Sequence, residues 1–127
     1  MKVYSETDSF KTFRESNKIP VYNSYEKGDH KNKSDKATRK DFRISFDVSV
    51  KEWDNFDGQI IDAIKFLEKY YSDLEILFST HSISNVYLDF PVYSRLYGDI
   101  VIQNDHLPRE LISLAGKLSL GIEMSEP

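Results

Sequence analysis

Residues 41–71, DFRISFDVSVKEWDNFDGQIIDAIKFLEKYY, change period halfway along, and that change decides the fold. In the first half Phe42, Ile44, Phe46, Val48 and Val50 alternate with Arg43, Ser45, Asp47 and Ser49. This is the period-2 pattern of a strand with one buried and one wet face. In the second half Ile60, Ile64, Leu67 and Tyr71 recur at helical spacing with Ile61 widening the stripe, while Asp62, Lys65 and Lys69 mark the wet side and Glu68 its margin. Asp54 is the expected N-cap and Asp57 lies at the positive end of the helix dipole, together worth about 1–2 kcal/mol. Trp53, just before that cap, is placed to staple the helix entry. A strand running straight into a helix needs further layers to bury both apolar faces.

Downstream, Leu74, Leu77 and Phe78 keep helical spacing after a break. Ile83, Val86, Leu88 and Phe90 then read as a strand limited by Pro91. Residues 93–98 form a hairpin connection, and Ile100, Val101 and Ile102 a return strand buried on both faces. A second helix spans 107–118, with Pro108 at its first position, Asp105 as a nearby cap and Leu107, Leu111, Leu114, Ala115 and Leu118 as its stripe. Gly116 marks either close packing or the start of its end. Leu120, Ile122 and Met124 alternate as a last strand. The order from Asp41 is therefore βαββαβ. The expected fold class is α+β, ferredoxin-like (split βαβ), an antiparallel sheet with two helices on one face.

Upstream lie a short strand or coil at Val3 and Tyr4, a brief helix carrying Phe10 and Phe13 with Thr7 or Asp8 as cap, and an extended piece at Val21–Tyr25 after Pro20. Residues 26–40, EKGDHKNKSDKATRK, read as a mobile basic loop. The chain is one domain, 1–127, with an N-terminal extension and loop over 1–40 and the core over 41–127.

The 127 residues include no Cys, which removes disulfides, thiolate metal sites and Cys nucleophiles together. No secretory h-region and no apolar run of membrane-spanning length is present, so the expected location is the cytoplasm. A net charge of −4 argues against binding driven by phosphate neutralisation. Its distribution is uneven: Lys27, Lys31, Lys33, Lys36, Arg39, Lys40 and Arg43 crowd one stretch against Asp29, Asp35 and Asp41. Glu52, Asp54, Asp57, Asp62, Glu68, Asp73 and Glu75 crowd the next against Lys65 and Lys69.

Motifs with chemistry are sparse. Asn55, Asp57 and Gly58 match three places of a calcium loop, but Trp53 and Ile64 stand at its two end ligands and the cage cannot close. His30, His81 and His106 are isolated in sequence and show no metal-ligand spacing, so neither a metal nor another cofactor is expected. Residues 95–102 echo the third strand of an RNA-recognition module, but Asp99 and Ile102 stand where stacking aromatics belong, so no nucleic-acid partner is expected. Eight Tyr and eight Phe, among them Tyr70, Tyr87, Tyr93 and Tyr97, exceed what one core absorbs and are suited to an interface.

Ile19-Pro20 followed by Tyr25-Glu26-Lys27-Gly28-Asp29 is similar to the "Pro … Lys-Gly-Asp" segment of the family called domain of unknown function 4279. Leu88-Asp89-Phe90, Leu107-Pro108-Arg109-Glu110-Leu111-Ile112, Leu114-Ala115-Gly116 and Ile122-Glu123-Met124-Ser125 resemble segments of small bacterial proteins of the same type. The resemblance implies an immunity partner of a bacterial toxin, and it assigns no catalytic residue.

The expected function is thus a non-catalytic bacterial immunity protein that neutralises a cationic toxin, such as a nuclease, by direct binding through Glu52, Trp53, Asp54, Asp62, Glu68 and Tyr70. The alternatives are a small-molecule sensor, with Tyr87, Tyr93 and Arg95 at a homodimer seam, and an enzyme using His81 or His106 with a nearby carboxylate.

Overall fold

The computed structural model describes residues 1–34 and 36–126; Asp35, counted above among the acids of the basic stretch, lies outside them. Among the described residues the chain forms β1 (Lys2–Ser5), α1 (Lys11–Ser16), β2 (Val21–Tyr25), β3 (Phe42–Phe46), α2 (Phe56–Lys69), α3 (Tyr71–Thr80), β4 (Asn85–Pro91), α4 (Arg109–Lys117) and β5 (Gly121–Ser125). The strands lie side by side as β2-β3-β1-β4-β5. β1 is antiparallel to both β3 and β4, β2 is antiparallel to β3, and β5 is parallel to β4. The chain is α+β with a mixed sheet.

Register sorts the side chains. Val3 lies opposite Ile44 and Val86, and Leu88 opposite Ile122, so these apolar residues share one face. Onto that face pack the helices: Phe46 meets Phe13 of α1 and Phe66 of α2, and Phe90 meets Phe56 at the start of α2. Leu74 and Leu77 of α3 and Leu111 of α4 are fully buried in the same cluster. Lys2 lies opposite Ser45 and Tyr87, which gathers the polar alternates on the other face.

The split βαβ order is not what the sheet shows. Ile100, Val101 and Ile102 form no strand and stand 46%, 83% and 69% exposed. The reason is spatial: β1 and β5 occupy both flanks of β4, leaving no edge beside it for a hairpin return. The Val3-Tyr4 segment, expected outside a 41–127 core, is instead the central strand. The strand expected to run to Val50 ends at Phe46, and Val50 is 91% exposed.

Helix ends differ in detail. The N-cap of α2 is Asn55, whose Oδ1 accepts from Gly58 N at 2.9 Å, and not Asp54. Pro108 is the N-cap of α4 with no side-chain cap, because Asp105 is held by Arg95 and Gln103. Phe10 stands at the N-cap position of α1 with no side-chain cap, and neither Thr7 nor Asp8 caps it; Asp8 accepts from Ser82 N at 2.6 Å and so ties the segment before α1 to the turn before β4.

The described residues of the 26–40 segment pair across a hairpin that continues β2 and β3, where an unpaired loop was expected. Gly28 N donates to Arg39 O (2.9 Å), Arg39 N to Asp29 O (2.7 Å) and Lys31 N to Ala37 O (3.0 Å), and His30 bridges Thr38. Its base packs on Tyr25 at the end of β2, with the Arg39 and Arg43 guanidinium carbons 4.4 and 4.6 Å from the ring centre. The Tyr25 hydroxyl donates to Asp41 at 2.9 Å, and burial followed by this bond pushes the phenol up to about 12.

Candidate functional site: a cleft at the sheet end and an apolar loop

The polar face of the sheet is cross-linked by side chains. Lys2 Nζ donates to Asp89 Oδ2 (2.7 Å) and Ser125 Oγ to Asp89 Oδ1 (2.8 Å). Burial alone would raise the Asp89 carboxyl, but the bonds from Lys2 and Ser125 and the charge of Lys2 outweigh it and hold the group below its usual range. Tyr4 stacks on Tyr87 with ring centres 6.1 Å apart, and Arg43 Nη2 donates to Asn23 Oδ1 at 3.1 Å.

Beyond the first residue of β1, the segment after β3 and the last residues of β4 run on with a cleft of about 550 Å³ at their end of the sheet. Lys2, Arg43, Ser45 and Asp89 line it from the sheet; Trp53 and Tyr22 supply aromatic lining. Gln59, buried in α2, donates from Nε2 to Pro91 O (2.9 Å) and Glu52 O (3.2 Å), which fixes the α2 entry against the end of β4. The Met1 α-amine donates to Phe46 O at 3.0 Å, and burial pushes it down to about 6. Two polar atoms in the cleft lining have no partner among the described residues: Ser45 Oγ, on a residue only 5% exposed, and Arg43 Nε. A buried donor left so costs about 1–3 kcal/mol.

Of the residues expected to bind a partner, Glu52, Trp53 and Asp54 stay together in the turn before α2. Trp53 is 38% exposed; its ring centre lies 5.3 Å from that of Tyr93, and its carbonyl accepts from Tyr93 N at 3.2 Å. Asp62, midway along α2, is half-buried and accepts from Ser49 Oγ at 2.7 Å. Glu68 and Tyr70 stand at the other end of a 14-residue helix, about 20 Å away at 1.5 Å per residue. Tyr70 packs on Phe66 (5.0 Å) under Lys69. The six residues therefore do not form one patch.

Trp53 instead meets the segment between β4 and α4. Its base is pinned: Arg95 pairs with Asp105, Arg95 N donates to Gln103 Oε1 (2.7 Å), and Gln103 Nε2 donates to Asp105 (2.9 Å). Its outer part leaves Tyr93, Leu96, Tyr97, Ile100, Val101 and Ile102 exposed. Sequence reasoning missed this surface by assigning the β-branched run to a buried strand. Nor did it show that Arg43 and Ser45 would carry buried atoms without partners, since an alternating strand gives no sign of which polar atoms on its other face are paired.

Of the three residues expected around a sensor pocket, Tyr87 lies on the sheet face against Tyr4, Tyr93 stacks on Trp53, and Arg95 is engaged by Asp105; none of them lines the cleft. His81 stacks on Phe10 at 5.2 Å with Nδ1 3.1 Å from Leu77 O, and His106 is exposed before α4. No group of three metal-ligating side chains occurs among the described residues, and no described helix is long and apolar enough to cross a membrane. The chain matches no protein-family model, no curated protein and no solved structure.

Proposed function

We propose that the chain is a non-catalytic interaction protein that binds a basic protein partner, in the manner of a bacterial immunity protein neutralising a cationic toxin. The observation that carries this reading is the exposed apolar loop beside Trp53, where Tyr97, Val101 and Ile102 are each two-thirds or more open to solvent. Loops that expose several large apolar side chains mark surfaces that become buried in a complex. Glu52 and Asp54 flank Trp53, Asp99 lies within the loop, and all three are exposed. An apolar centre with an acidic rim suits a partner whose own rim is basic.

The test is co-purification with the product of the adjacent gene, using the native chain and a triple variant, Leu96→Ser, Val101→Ser and Ile102→Ser. The variant should fold with an unchanged melting temperature, since these side chains already face water. It should lose the partner. Absence of any tight partner, or full retention by the triple variant, would sink the reading.

A further inference from the structure

The loop between β4 and α4 leaves part of its backbone, and not only its side chains, without partners. We infer that Ile100–Ile102 is a strand-addition edge: the basic partner lays an edge strand of its own against this segment and bonds main chain to main chain, with Val101 N–H as the central donor. The inference rests on the partner reading above and adds to it how the partner is held.

Three observations carry it. The first is the turn at the tip of the loop, where Ile100 N donates to Tyr97 O at 3.1 Å. Of its two central residues only Gly98 has a positive φ, 59°, which is the pattern of the type II′ turn that joins hairpin strands. The second is composition: Ile100, Val101 and Ile102 are consecutive β-branched residues, which favour extended, paired backbone. The third is that this pairing is not met within the chain. Among the described residues the backbone groups of Val101 and Ile102 have no hydrogen-bond partner, and both flanks of β4 are taken by β1 and β5. A hairpin turn thus presents a strand-forming segment with an open edge, the arrangement to which a strand from another protein adds.

Direction follows from the turn. Successive N–H groups of an extended segment point to opposite edges, so with Ile100 N–H turned in toward Tyr97 O, Val101 N–H points out of the loop. Val101 is 83% exposed, which leaves that edge open to a partner. The arm is also ordered in advance, since Arg95, Gln103 and Asp105 pin its base, and this lowers the entropy lost on docking.

Charge decides whose strand it is. Asp99 adjoins the edge, Glu52 and Asp54 flank Trp53 beside the loop, and all three are exposed. A second copy would bring the same acids to the same surface, whereas a strand of a basic protein brings their counter-charges.

The probe is the partner recovered by co-purification with the product of the adjacent gene. Proline keeps more apolar bulk than alanine but has no N–H. Val101→Pro should therefore weaken binding about tenfold more than Val101→Ala, while Ile102→Pro, whose N–H faces into the loop, should be no worse than Ile102→Ala. Both side chains face water in the free chain, so all four variants should keep the native melting temperature. In the native complex, hydrogen exchange at the Val101 amide should slow about tenfold or more relative to the free chain, a readout that needs no variant to fold. Equal losses from Val101→Pro and Val101→Ala, or no slowing at Val101 in the complex, would overturn the main-chain assignment and leave the partner reading standing. Slow exchange at Val101 in the isolated chain at high concentration would give the edge to a second copy and overturn it too. Recovery of no partner sinks both readings together.

Discussion

Asp89 joins three strands through two bonds, to Lys2 of β1 and Ser125 of β5, and its ionisation is therefore linked to stability. Its carboxyl is held below the ordinary value of 3.8 in the fold. A depressed carboxylate contributes stability that is fully present above the unfolded value, about 4, and is lost as pH falls through the lower folded value. The Lys2 and Asp89 side chains are 34% and 17% exposed, so solvent screening keeps the contribution small, about 0.5–1 kcal/mol. Asp89→Asn should lower unfolding free energy by that amount at pH 7, and the gap from the native chain should close below about pH 4. Denaturant melts at pH 7, 4 and 2.5 check it; a gap that stays constant with pH would mean that the ion pair does not set the Asp89 titration.

The end of α4 shows how an element can carry its glycine at the wrong place. Leu120 N donates to Ala115 O (2.8 Å) and Ser119 N to Gly116 O (3.1 Å), the paired bonds of a Schellman turn. Such a turn puts its C′ residue in the left-handed region, and here that residue is Ser119, with φ 55°. A residue with a Cβ pays about 1 kcal/mol or more there. Gly116, three positions earlier, is in ordinary helix, and a Cβ on it would meet nothing within 4 Å. Ser119→Gly and Gly116→Ala should each stabilise the fold by about 0.5–1 kcal/mol, the first by relieving the left-handed strain and the second through helix propensity. Urea midpoints of the two single variants provide the check, and a lowered midpoint for either would show that the turn depends on a contact not accounted for by the backbone. Gly58 is a contrasting case: a Cβ there would come within 2.7 Å of the Asn55 side chain that caps α2, so it is the cap that requires glycine.

Across the whole molecule, basic and acidic surfaces are separated. The basic hairpin extends β2 at one edge of the sheet, whereas the acids beside Trp53 sit at the start of α2, next to the apolar loop. A basic partner approaching that loop should sense Glu52 and Asp54 but not Glu68, which lies at the far end of α2, about two Debye lengths away at physiological salt. Glu52→Lys with Asp54→Lys should reduce the association rate about tenfold or more and flatten its salt dependence, while Glu68→Lys should leave both unchanged. Stopped-flow association with the purified partner at several salt concentrations is the measurement. Equal effects from both variants would show that net charge alone, and not this surface, governs the encounter.

What the sequence by itself determined is local. Period 2 over Phe42–Phe46, period 3.6 over Phe56–Lys69 and the Pro91 boundary of β4 follow from which residues must be buried along a strand or helix, and the structure has each of them. The alternation also set Arg43 and Ser45 on the face opposite Ile44 and Phe46, but that face is not wet at Ser45, which the neighbouring strands bury. Only the tertiary structure decided which strands are neighbours. Val3 and Tyr4 look peripheral as a short piece before a helix, yet pairing on both sides makes β1 central and excludes Ile100–Ile102 from the sheet. The candidate sites have the same origin. A polar atom is unpartnered, and an apolar side chain exposed, only with respect to everything else the fold brings near it, and that information is carried by pairing and packing between distant segments.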